Sequence, residues 1–234
     1  MNKLMTLEWQ KNRLSSYFKG VVICIISIFA AVTLMALESK GESEPLFLDY
    51  EGFMSLTNIF IRIVFIIFSS AILSRLIIEE YRNKTIQLLF TYPVQRKKII
   101  QSKLFIVFCF CFFSIIIATF IISLLTFFLN PMIGIFEADV SISEIIATVP
   151  AVLINAFMMA GVSLIPLYFG MRKKSTAATI TSSVVIGFLI NSTVSDGNSS
   201  VSLFQFIGVP IILCLFGLGI AYLSYYKIDK ADVA

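Results

Sequence analysis

The sequence predicts an all-α, polytopic membrane protein. Six transmembrane helices are expected, with an interfacial amphipathic helix before them and one short helix between the second and third. Three observations predict this. Of 234 residues, 58% are hydrophobic and only 14% charged, too little polar surface to cover a soluble core of that size. The apolar residues fall in runs of about 20, long enough to cross a roughly 30 Å hydrocarbon layer as helices. The cations also gather in alternate connections. The 234 residues read as one transmembrane domain.

The opening stretch, 1–16, places Leu4, Leu7 and Leu14 on one helical stripe that continues to Phe18, with Trp9 nearby and Lys3, Lys11 and Arg13 mixed in. That pattern suits a helix lying in the headgroup layer. The first span covers 17–37. Its charged lead-in and the spans that follow argue for an uncleaved helix rather than a signal peptide. A loop with Glu38, Glu42, Glu44, Asp49 and Glu51 leads to the second span, 53–78. The third covers 104–129. The fourth, 145–168, is interrupted by Pro150 and Pro166, and the fifth, 176–190, is rich in Ser and Thr. Ser163, Thr176, Thr179, Thr181, Ser182 and Ser183 suggest close contacts between these two. The sixth covers 203–222.

With six alternating spans, sixteen of the eighteen Lys and Arg residues share one side: all except Lys40 and Arg62. Cations collect on the cytoplasmic side of membrane proteins. Both termini are therefore expected in the cytoplasm.

Chemistry is scarce. The chain has no histidine, and Cys24, Cys109, Cys111 and Cys214 lie within apolar runs without metal-ligand spacing. No bound cofactor or metal is expected, and no nucleic-acid contact. An intramembrane serine protease would need an imidazole base beside a serine such as Ser163, and none exists. The fourteen acids lie in loops, in the leader and tail or at span ends, which leaves a proton-coupled carrier no relay at mid-membrane. The phosphate loop G-x-x-x-x-G-K-[ST] is absent, so the chain cannot bind ATP in that way.

Two stretches remain. Arg62 is the cation inside a span, and Asn58, Arg62 and Ser69 share a helical stripe. This polar face is read either as a pathway or inter-subunit contact, or as an arginine reaching toward outer headgroups or the acidic loop. The second is EEYRNKTIQLLFTYPVQRKKIIQSKL, residues 79–104. Ile86, Leu89 and Phe90 form an apolar face at helical spacing. Pro93 ends that helix by forcing the residue before it into an extended conformation. Arg96, Lys97 and Lys98 open the next helix. The unit reads as a short helix parallel to the membrane, held between two spans. Glu79 and Glu80 are expected to pair with Arg82, with cations at the base of a neighbouring span, or with Lys11 and Arg13.

The order Glu80, Thr85, Leu89, Pro93, Arg96, Ile99 or Ile100, Lys103, with Leu88 beside Leu89, resembles the E-x-x-x-x-T-x-x-x-L-x-x-x-P-x-x-R-x-x-[IL]-x-x-x-K pattern of ATP-binding-cassette permeases of the type-2 exporter class. Lys84 stands where many members have glycine. The resemblance implies a multi-pass bacterial cell-membrane permease whose short helix docks on a soluble ATPase as a coupling helix. The coupling residues would be Glu79, Glu80, Thr85, Ile86, Leu88, Leu89, Phe90, Pro93 and Arg96. It further implies an ATPase dimer that carries the ATP and Mg, a second permease copy or related chain, and membrane lipid around the spans. The implied substrate is hydrophobic or amphipathic, such as an antimicrobial peptide or drug. An ATP-independent carrier or channel and a non-transporting immunity protein are the alternatives.

Overall fold

The computed structural model describes residues 15–39, 47, 50–82, 96–135, 142–195, 200–202 and 208–227. Helices dominate: α1 (Ser15–Ser39), α2 (Tyr50–Leu73), a π-helical turn (Ser74–Ile78), α3 (Glu79–Arg82), α4 (Arg96–Ile133), α5 (Ile142–Val162), α6 (Pro166–Lys173), α7 (Thr176–Ile190) and α8 (Gly208–Lys227). Four continuous stretches are long and apolar enough to cross a membrane: Tyr17–Ser39, Tyr50–Ile78, Lys98–Ile133 and Ile145–Lys173. Thr176–Ile190 and Gly208–Ser224 are apolar but shorter. At 1.5 Å per residue α7 is about 22 Å long, less than the hydrocarbon thickness.

A small addition to the all-α expectation follows α7. Strands β1 (Thr193–Ser195) and β2 (Ser200–Ser202) pair antiparallel, with Val194 opposite Val201. The pairing satisfies backbone groups where the short helix has ended.

The central element is α2, which touches α1, α4, α5, α6 and α7. Its buried positions, among them Phe53, Thr57, Ile61, Phe65, Ser69 and Leu73, recur at three- and four-residue intervals. Most of the apolar packing forms one cluster on this face. Apolar side chains such as Ile23, Phe113, Phe157 and Phe216 point outward, the arrangement expected of a bundle immersed in lipid.

The fourth span is divided. α5 ends at Val162, residues 163–165 form a tight turn, and Pro166 opens α6 at its first turn. The amide hydrogens of Leu164, Ile165, Leu167 and Tyr168 all bond three residues back, at 3.0–3.2 Å. Proline has no N–H to continue an i−4 ladder, so the chain tightens locally to 3₁₀ winding. Pro150, by contrast, lies within α5 without interrupting it. Pro131 likewise lies inside α4. α4 is 38 residues long, so its charged opening, RKKIIQSK, extends beyond what the bilayer requires.

Two close crossings need small residues. A Cβ on Gly161 would press on Cys214 of α8, and one on Gly217 would collide with the Gly161 carbonyl. Gly170 of α6 sits equally close to Thr179 of α7 and Ile78 of the π turn. Such approaches are how helices associate where water supplies no driving force. Of the hydroxyl residues singled out in the sequence, Ser163, Thr179 and Ser183 are buried here, whereas Thr181 is exposed and bonds its own helix.

Candidate functional site

The site is assembled where α2 ends and α4 begins. Glu79's amide bonds to the Ser74 carbonyl, five residues back. This wide turn skips one ordinary i−4 bond. Lys103 Nζ of α4 donates to the Leu76 carbonyl oxygen of the same turn at 3.0 Å. The same ammonium forms an ion pair with the Glu80 carboxylate. Lys103 is 2% exposed and Glu80 12%. A buried ammonium is tolerated only when paired and hydrogen-bonded, and here it has both kinds of partner.

Near the pair in sequence, Ile78, Ile99, Ile100 and Leu104 are buried, and the Ser102 hydroxyl returns to the Ile99 carbonyl at 2.7 Å. On the far side of α2, Arg75 Nη1 donates to the Tyr17 hydroxyl at 3.1 Å, which anchors α1 to the turn. Gly170 brings α6 against Ile78. The π turn of α2 therefore meets the segment that follows the 3₁₀ break.

The two ends of the sequence pattern, Glu80 and Lys103, are thus in contact across 23 positions. They hold together the two points between which the connection 83–95 is strung. Of the pairings considered for Glu80, the described geometry has the cation at the base of the neighbouring span. Glu79 is half-buried beside it. Thr85, Ile86, Leu88, Leu89, Phe90 and Pro93 lie outside the described residues, as does the stretch 1–14. Arg96 opens α4, and its side chain is also outside the description. α4 has no acid in its first turn. The positive end of the helix dipole does not favour cations at the positions 96–98 that open this helix.

The polar stripe on α2 is largely buried. Ser69 is fully buried, and its hydroxyl has no hydrogen-bond partner among the described residues. Next to it, Ser70 Oγ donates to the Thr179 carbonyl of α7 at 3.0 Å. Toward the other end of α2, Arg62 Nη1 donates to Asn191 Oδ1 at 3.5 Å, and Asn191 Nδ2 donates to the Gly187 carbonyl at 2.8 Å. Arg62 therefore reaches the end of the short α7. Asn58 is half-buried one turn away. Among the described residues no group of three or more His, Cys, Asp or Glu converges as a metal site would.

A family model described as ABC-2 family transporter protein matches residues 4–191. The Bacillus subtilis (strain 168) protein named Uncharacterized protein YcbO is 34% identical over 229 residues, spanning 98% of this chain and 99% of that one. No solved structure matches the chain. The match extends from the leader through α7 and includes both ends of the clamped connection, and on it the chain belongs to the ABC-2 family of transporter membrane proteins.

Proposed function

We propose that this chain is the transmembrane permease of an ATP-binding-cassette exporter, moving a hydrophobic or amphipathic substrate out of the cell by alternating access. A separate ATPase dimer binds and hydrolyses ATP with Mg, and a second permease copy or a related chain completes the pathway. The end of the bundle that carries Arg75, Lys98, Lys103 and Arg172 faces the cytoplasm, because the cations segregate there. With six alternating spans, both termini lie on that cytoplasmic side.

The observation that carries this reading is the buried Lys103–Glu80 pair with its bond to Leu76. A motor outside the membrane must push on something stiff, and a connection clamped at both roots passes a push to α2 and α4 together. Ile86, Leu89 and Phe90 supply the apolar face that the ATPase grips. An amphipathic peptide or a drug is the favoured cargo, because the chain is small and its loops are too short to form an additional domain. Co-purification tests the reading. The full-length permease should bring down a nucleotide-binding partner, and Leu89→Asp should lose it while the permease remains folded. Retention by the folded variant would contradict the docking site.

A further inference from the structure

A π turn is an α-helix with one residue too many, so everything after it lags a regular helix by one position. Here the lag is confined to Ser74–Ile78, and Glu79 and Glu80 follow it directly. A regular α-helix advances ~1.5 Å and turns by about 100° per residue. If the turn closed to α geometry, Glu79 would stand where Glu80 stands now, and Glu80 would point about 100° away. Lys103 would still face a carboxylate.

The geometry points to a two-register clamp in which Glu79 is the second partner of Lys103. Glu80 holds the ammonium while the turn is π-helical, and Glu79 holds it when the turn is α-helical. The exchange rotates α3, the root of the connection 83–95, without abandoning a buried charge. Removing the partner of a buried ion is strongly unfavourable, so a single glutamate would lock one register. Two adjacent glutamates allow both. Tyr17 holds Arg75 near the start of the turn, and Gly170 packs closely against Ile78 at its end. That the rotation serves as a power stroke rests on the exporter reading above; the exchange of partners is a property of the chain alone.

The test uses the full chain, purified without any ATPase and placed in lipid nanodiscs, and reads thermal unfolding. Glu79→Gln should melt with the wild type, because Glu80 is the partner in use. Glu80→Gln should lose only part of what Lys103→Met loses, because Glu79 takes over. Adding Glu79→Gln to Glu80→Gln should bring the loss to that of Lys103→Met, and Glu79→Gln should be silent in the Lys103→Met background. If Glu80→Gln does not fold, Glu80→Asp weakens the first register and permits the same comparison. The clamp is overturned if Glu79→Gln has the same effect in every background, or if the Glu80 variant alone is as unstable as the double variant. Neither result would alter ATPase co-purification, which tests docking separately.

Discussion

Lys103 Nζ donates to the carbonyl oxygen of Leu76 at 3.0 Å, joining the third turn of α4 to the π turn of α2. With Glu80 as its counter-ion, this lysine is one of the largest fully buried side chains among the described residues. Replacing Lys103 with methionine takes the buried counter-ion from the Glu80 carboxylate. The expected loss is about 3–5 kcal/mol, readable as a lowered melting temperature of the purified protein. Lys103→Arg, which keeps the charge, should recover part of it.

The α5–α8 crossing gives a sharper packing test. Gly217→Ala would press a methyl group against the Gly161 backbone, and overpacking of this kind costs about 1–3 kcal/mol. Gly219, two residues on in the same helix, has nothing within 4 Å of the corresponding position. Gly219→Ala should therefore be neutral or stabilising by up to about 1 kcal/mol. Thermal unfolding of the two variants side by side separates packing from helix propensity. Equal effects would contradict the crossing.

At the corner between α6 and α7, Lys174 has φ 46° and ψ 36°, a left-handed conformation that closes α6 through its N–H bond to the Gly170 carbonyl. A side chain in that region costs about 1–2 kcal/mol relative to glycine. Lys174→Gly is expected to raise stability by about 1 kcal/mol, less what the more flexible unfolded chain takes back. A melting temperature lower than that of the parent would show that the lysine has a role beyond the turn.

Arg62 and Asn191 should behave as a coupled pair. Arg62→Gln and Asn191→Ala each remove the same 3.5 Å contact. Their combined effect on stability should therefore fall short of the sum by about 0.5–1.5 kcal/mol. Strict additivity in a double-mutant cycle would mean that the arginine is held by something else.

These sites differ in how far they can be read from sequence. Apolar runs locate the long helices because lipid demands length and hydrophobicity, and α7 has the same bounds as the segment expected from 176 to 190, with Ser175 accepting from the Ala178 amide as its N-cap. Pro166 announces the α5–α6 break, but Pro150, equally visible, interrupts nothing. Proline removes one bond wherever it stands, and neighbouring packing decides whether the helix yields. The π turn leaves no trace in Ser-Arg-Leu-Ile-Ile, an ordinary helical sequence, and the lysine that bonds its Leu76 carbonyl is 27 positions away. Likewise the Glu80–Lys103 pair is a tertiary fact, hinted at only by its place at the two ends of one pattern. Hairpin strands of three residues carry too little alternation to be recognised.

The central claim is that an external ATPase grips the connection between α3 and α4. It is tested most directly by purifying the full-length permease from its native membrane, as wild type and as Phe90→Asp, at matched amounts and matched melting temperatures. The account predicts that a soluble protein containing a Gly-x-x-x-x-Gly-Lys-[Ser/Thr] loop accompanies the wild type and is absent from the variant. A nucleotide-binding partner that stays with the folded Phe90→Asp protein, or one that accompanies neither, would contradict it.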